Sequence, residues 1–139
     1  MQRLFADSRG QAILEFALAT PFLFAFLFFI MDAGLFAYTY VSMTNAVREG
    51  ARCAAVGGTD GAVQTRVTNT AGGLTGTLSV PVPQRGSSIG SDVTVRANYT
   101  YDWITPVNIL PGVNLANTVI TRSATMRMET TAPYGKTTC

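Results

Sequence analysis

Apolar residues fall along this chain in two regimes. From Phe16 to Met31 (FALATPFLFAFLFFIM) sixteen residues run without a charge, and extended to Ala12 and Val41 the run is broken only by Glu15 and Asp32. They occupy every side of a helical wheel rather than one stripe, a pattern that suits lipid or the inside of a large protein. Gln11 to Asp32 gives 21 helical steps, about 31 Å at 1.5 Å each, against a hydrocarbon core of about 30 Å. The 139 residues leave too little chain to wrap such a helix, so the sequence assigns it to a membrane.

Beyond Asp32 the apolar character thins without stopping. Tyr38, Tyr40, Val41, Val47, Ala51, Ala54 and Ala55 interleave with Ser42, Asn45, Arg48, Glu49 and Arg52, as in a helix that continues into a more polar solvent. Gly57 and Gly58 offer a C-cap and Thr59, Asp60 and Gly61 a turn, so the helix is expected from about Ser8 to Val56. At roughly 70 Å it is more than twice the bilayer core, and its second half must project with one face for a partner domain.

From Gly57 the composition shifts to Gly, Thr, Ser, Val and Asn, and the period to two. Ala62 to Ala71 is a candidate short helix before Gly72 and Gly73. Leu74 to Val82 is a candidate strand with Leu74, Leu78, Val80 and Val82 on one face, stopped by Pro81 and Pro83. Asp92 to Thr105 alternates without a break: Val93, Val95, Ala97, Tyr99, Tyr101 and Trp103 oppose Thr94, Arg96, Asn98, Thr100 and Asp102. Asn117 to Glu129 sets Ile120, Ala124, Met126 and Met128 on one face, with Arg122 the exception that an edge strand tolerates. The loop Pro106 to Leu115 carries Val107, Ile109, Leu110 and Val113 and is expected to close the small core. The tail Ala132 to Cys139 is expected to be flexible unless tied down. The fold class that follows is α+β: a long N-terminal helix, transmembrane in its first half, packed on a small antiparallel sheet of about three strands. Its parts are residues 1–10 on the cytoplasmic side, a helix over 11–56 that spans at 11–32, and an exported α+β domain over 57–139.

Composition then narrows the function. The chain is 47% hydrophobic and 13% charged, with a mean hydropathy of +0.25. With no His, triads that need one are excluded, and two Cys do not make a Cys-rich metal site. No catalytic, cofactor-binding or metal residues are assigned. The net charge of +2 rests on nine dispersed Arg and one Lys against eight carboxylates, with no run suited to a phosphate backbone, so nucleic acid is not an expected partner. Arg3, Arg9 and the initiator amine outweigh Asp7 in the N-terminal flank, which keeps it cytoplasmic and exports the remainder. Cleavage as a secretory signal is disfavoured because MDAGLFAYTY after Ile30 stays bulky.

Glu15 is the anomaly, a carboxylate inside the apolar run. Two readings stand side by side: it reaches back toward the cytoplasmic interface, about 6 Å from Gln11 along the helix, or it has a partner inside the membrane.

The string RGQAILEF, with Gly10, then Gln11, then Glu15 four residues on, resembles the cleavage signature of type IV prepilin-like proteins. The resemblance implies that a prepilin peptidase cuts between Gly10 and Gln11 on the cytoplasmic side, and that Glu15 meets the new terminal amine of a neighbouring subunit. The longer stretch over residues 9 to 52 is similar to the TadE-like family, minor pseudopilins of the tight-adherence (Tad/Flp) pilus machinery. It carries Glu15-Phe16-Ala17, then Pro21, then Asp32 with Gly34 two on, and Thr44-Asn45-Ala46 leading to Arg48-Glu49-Gly50-Ala51-Arg52. The closing strand Ser123 to Glu129 resembles the family more loosely. Asp32 stands where such proteins more often show Glu, and the span is unusually rich in Phe. The resemblance implies a pilin-like fold, an assembly role for Glu15 and Phe16, and no enzymatic activity. It implies as partners the prepilin peptidase, other pilin-like and pseudopilin subunits, the Tad inner-membrane platform and the lipid bilayer. The location implied is the bacterial inner membrane, with the C-terminal domain outside. The alternative is an uncleaved single-pass envelope binding module.

The remaining candidates take plainer readings. Pro21 removes one helical hydrogen bond, which a membrane bundle tolerates; a bend useful for extraction into a filament is the sharper reading. Asp32 falls at the outer interface and is expected to be solvated there. Arg48, Glu49 and Arg52 are expected to form a solvated face, or to dock another subunit. Asn98-Tyr99-Thr100 matches a glycosylation sequon that arises commonly by chance. Cys53 and Cys139 both lie on the exported side, where one intrachain bridge is possible and free or intermolecular thiols are the alternative. A bridge would close a loop of about 87 residues, nominally about 4 to 5 kcal/mol of stabilisation in the chain-entropy model, and staple the tail to the helix end.

Overall fold

The computed structural model describes residues 8–74, 76–105, 118–130 and 139, and the side chains of 8 and 9 are not among what it describes. A single helix, α1 (Ser8–Ala55), runs through Pro21. Over its first half, among the described residues, no apolar face is covered by the rest of the chain. From Asp32 onward one stripe turns inward: Asp32, Thr39, Met43, Ala46, Val47, Gly50, Ala51 and Ala54 are buried at the three- and four-residue spacing of a helix packed on one side.

The end of α1 is closed by its own sequence and by two distant segments. Gly57 has φ 87°, donates to the Ala54 carbonyl at 3.2 Å, and leads into Gly58, which donates to the Cys53 carbonyl at 3.0 Å. These are the paired bonds of a Schellman stop, for which glycine supplies the left-handed residue. The amide of Glu129 donates to the Ala55 carbonyl at 2.9 Å, and Arg85 Nη1 to that of Ala54 at 2.9 Å. Arg85 also bonds the Gly58 carbonyl at 2.8 Å and Asp60 at 3.0 Å, so one half-buried guanidinium ties a strand to the helix end.

The short helix expected from Ala62 to Ala71 is α2 (Asp60–Thr70). Thr59 caps it, its hydroxyl accepting from the Ala62 amide at 3.3 Å, and Asp60 sits in the first turn. Val63 and Val67 are buried against α1 at Gly50, where a Cβ would lie 2.3 Å from Val67 Cγ2. A glycine there is what allows the two helices to approach.

Among the described residues the sheet has four strands where about three were expected: β1 (Thr77–Ser79), β2 (Gln84–Arg85), β3 (Asp92–Tyr101) and β4 (Thr118–Arg127). The candidate strand Leu74 to Val82 contributes only β1, while β2 follows Pro81 and Pro83. All pairings are antiparallel. β4 pairs with the whole of β3, from Asp92 opposite Arg127 to Tyr101 opposite Thr118. On β3's other edge β1 pairs with residues 98–100 and β2 with 93–94, one after the other. Val93, Val95, Ala97, Tyr99 and Tyr101 face the helices, as the alternation predicts. Arg122, the exception on the inner face of β4, reaches α1: its guanidinium lies 4.1 Å from the centre of the Tyr40 ring, and Nε donates to Thr44 Oγ1 at 3.1 Å. The expected strand to Thr105 stops at Tyr101 because residues 103–105 leave the sheet for α1. The loop Pro106 to Leu115, Asn117, and the leader and tail apart from residues 8–10 and Cys139 lie outside the described residues.

Candidate functional site

The bare half of α1 is the first feature of the site. Ile13, Phe16, Phe22, Phe26 and Phe29 are each more than 60% exposed, and the helix from Gly10 is long and apolar enough to cross a membrane. Gly10 and Gln11 sit exposed in its opening turns. Glu15 follows one turn later, exposed among apolar neighbours, and its carboxylate accepts a 3.1 Å hydrogen bond from the Gln11 side-chain amide. That is a neutral partner for a charge. Phe16 stands out from the helix at 69% exposure. Pro21, also exposed, has no N–H to give the Ala17 carbonyl, and beside it Thr20 turns its hydroxyl onto the Phe16 carbonyl at 2.6 Å. The structure thus places Gly10, Gln11, Glu15, Phe16 and Pro21 within one stretch that is exposed among the described residues.

The second feature corrects an expectation. Asp32, taken from sequence as a solvated residue at the outer interface, is fully buried. Its carboxylate accepts the backbone N–H of Ile104 at 3.0 Å and that of Thr105 at 2.7 Å, together with the Thr105 hydroxyl. The Tyr101 hydroxyl donates to the Asp32 backbone carbonyl at 3.1 Å. Burial first, then the charge of Asp32, pushes the Tyr101 hydroxyl above its ordinary value, which keeps it a donor. A carboxylate taken from water is stable only when its oxygens are satisfied, and the segment that follows β3 supplies those donors. Asp32 therefore fastens the segment after β3 to α1, at the level where one stripe of the helix turns inward.

An aromatic cluster surrounds that joint. Phe36 on α1 meets Tyr101 edge-on at 5.6 Å and stacks on Trp103 at 6.1 Å, and Tyr101 and Trp103 meet edge-on at 5.2 Å. Trp103 Nε1 donates to Thr118 Oγ1 at 3.0 Å. Sequence reasoning missed this joint, although the spacing of Asp32, Phe36, Thr39 and Met43 already put the acid on the face that is buried. No comparable signal marks Arg85.

The C-terminal end of α1 holds the third feature. Cys53 and Cys139 are joined in a disulfide with Cα atoms 5.5 Å apart, beside Gly58. Glu49 pairs with Arg66 of α2 at 3.2 Å, while Arg48 and Arg52 point to solvent. Both partners of that pair are well exposed, so it contributes little to stability. Among the described residues no three His, Cys, Asp or Glu side chains gather as a metal ion would require.

A long apolar helix, bare in its first half and carrying a small α+β domain on its second, fits a single-pass membrane anchor with a domain held at the end of the span. Residues 10–52, the whole bare segment and most of the packed one, match the family model described as TadE-like protein. The match coincides with the stretch whose motifs carry the resemblance and covers about a third of the chain. Among curated proteins and solved structures, nothing matches the chain.

Proposed function

We propose that this chain is a minor pseudopilin of a Tad-type adhesion pilus or secretion machine. It is held in the bacterial inner membrane by α1 with its domain outside, and is trimmed between Gly10 and Gln11 by a prepilin peptidase. Its partners are other pilin-like subunits and the Tad inner-membrane platform. The observation that carries the reading is the match over residues 10–52, on a helix that leaves every face of Gly10 to Met31 available to neighbouring helices. Physical chemistry gives Glu15 its role. A carboxylate in hydrocarbon is costly, and the Gln11 amide does not neutralise it. Removal of the leader creates an ammonium at Gln11, and a neighbouring subunit's ammonium cancels the Glu15 charge only in one axial register. Phe16, beside it, packs in the same contact.

The deciding measurement is the N-terminal residue and intact mass of the protein recovered from the host membrane. A chain beginning at Gln11 supports the proposal. One retaining Met1 to Gly10 favours the uncleaved envelope binding module, and one beginning well past Met31 means that the apolar run was a secretory signal. Glu15→Ala is expected to be processed normally and to lose pilus assembly; full assembly by this variant overturns the register role.

A further inference from the structure

The joint at Asp32 fixes more than the angle of the domain. Its carboxylate lies within 3.0 Å of the Ile104 and Thr105 amides, so whatever depth Asp32 takes along the membrane normal, the segment that follows β3 shares it. Exposed apolar side chains continue past Met31 to Leu35, Tyr38, Tyr40 and Val41, while a hydrocarbon core of about 30 Å counted from Gln11 ends near Asp32, which puts that continuation at the bilayer's outer edge. The interfacial layer extends roughly 5 to 8 Å further on each side. Within about 9 Å of Asp32 along the axis α1 presents Leu35 and Tyr38, whose side chains lean back toward the helix N-terminus. Both are exposed, as is Ile104 at 49%, and Trp103 is half-buried beside it. Leu35, Tyr38, Ile104 and Asp102 line a cleft of about 150 Å³ at this level, where among the described residues Asp102 alone is charged.

Resting on the membrane-anchored reading above, we propose that this end of the domain is itself a membrane surface. Trp103 and Ile104, with Leu35 and Tyr38 across the cleft, lie in the outer interfacial layer of the bilayer, so the domain sits on the lipid rather than on a stalk above it. The occupant is fixed by continuity: the surface adjoins the helix that lipid already surrounds. Its chemistry agrees, since aromatic rings with one polar edge and one apolar body favour the headgroup level. With an acid and, among the described residues, no base lining the cleft, the surface suits zwitterionic rather than anionic headgroups. The hydrogen bonds of Asp32 then have a second consequence, satisfying a carboxylate at a depth where water is scarce.

Trp103 is the only tryptophan in the chain and reports directly. The full-length protein is reconstituted in phosphatidylcholine vesicles whose acyl chains are brominated either near the headgroup or near the chain end. Trp103 emission is expected to be lost with the first lipid and largely kept with the second. Trp103→Phe combined with Ile104→Trp, which sets the indole at the exposed position, should show the same order. Ile104→Asp should weaken the loss at Trp103. A reporter in the middle of the span, Phe24→Trp with Trp103→Phe, separates the two proposals: it should be quenched most by bromine at the chain end. If that reporter is quenched while the indoles at 103 and 104 are not, the domain stands clear of the lipid and this inference is overturned, with the anchor intact. If the mid-span reporter is not quenched either, the membrane reading fails and this one with it.

Discussion

Asp32 is where a single side chain decides the arrangement of the molecule. Its two oxygens take two backbone amides and one hydroxyl from residues 72 and 73 positions later. Asp32→Asn keeps the shape but turns an amide NH₂ toward donors, losing at least one charge-assisted bond; a loss of about 2 to 3 kcal/mol is expected. Chemical unfolding of the full chain in detergent, followed by Trp103 emission, measures it. Asp102→Asn, at an exposed neighbour, should leave the midpoint unmoved, and an unmoved midpoint for Asp32→Asn would show that the joint is not holding the domain. Asp32 was misread from sequence because hydropathy compares a residue with its chain neighbours, and these neighbours are apolar. The groups that satisfy it come from the segment that follows β3.

Among the elements, α1 changes its surroundings part-way without changing its helix. The uniform apolar half and the one-sided half are both visible in the spacing of residues, and Gly57-Gly58 marks the stop. Glycines within α1 show how the two halves differ. At Gly50 a Cβ would collide with Val67, whereas at Gly34 nothing lies within 4 Å. Gly50→Ala gains up to about 1 kcal/mol of helix propensity but overpacks the α1–α2 contact at a cost of about 1 to 3 kcal/mol, so net destabilisation is expected. Gly34→Ala has only the gain. A thermal melt of the two variants checks the contrast, and equal shifts would mean that α2 does not press on α1 at Gly50. The long strands β3 and β4 were legible for the same reason as the helix, since a full run of alternation averages out exceptions such as Arg122. β1 was legible only as part of a longer expected run, Leu74 to Val82, and β2 was not legible at all, because three and two residues carry no period and their place along the edge of β3 is what makes them strands.

For the whole molecule, the disulfide joins the C-terminal end of α1 to the last residue, across a separation of 86. Protein taken from an oxidising compartment is expected to show no thiol reactive to maleimide before reduction. Replacing both cysteines by Ser should cost about 2 to 5 kcal/mol, because the unfolded chain regains the freedom that a long closed loop denies it. Denaturant midpoints with and without reductant read this out; a midpoint indifferent to reduction would remove the bridge from the account of stability. The sequence by itself determined the long helix, the length and place of its apolar half, the small α+β domain after it and the residues that resemble a TadE-like protein. These follow from composition and period, which act between residues near one another in the chain. The tertiary structure alone decided that Asp32 is a joint, that Arg85 and Glu129 close the helix end, and that the segment after β3 meets α1 at Asp32. Each depends on polar groups tens of residues apart meeting as buried partners, and no local pattern encodes that meeting.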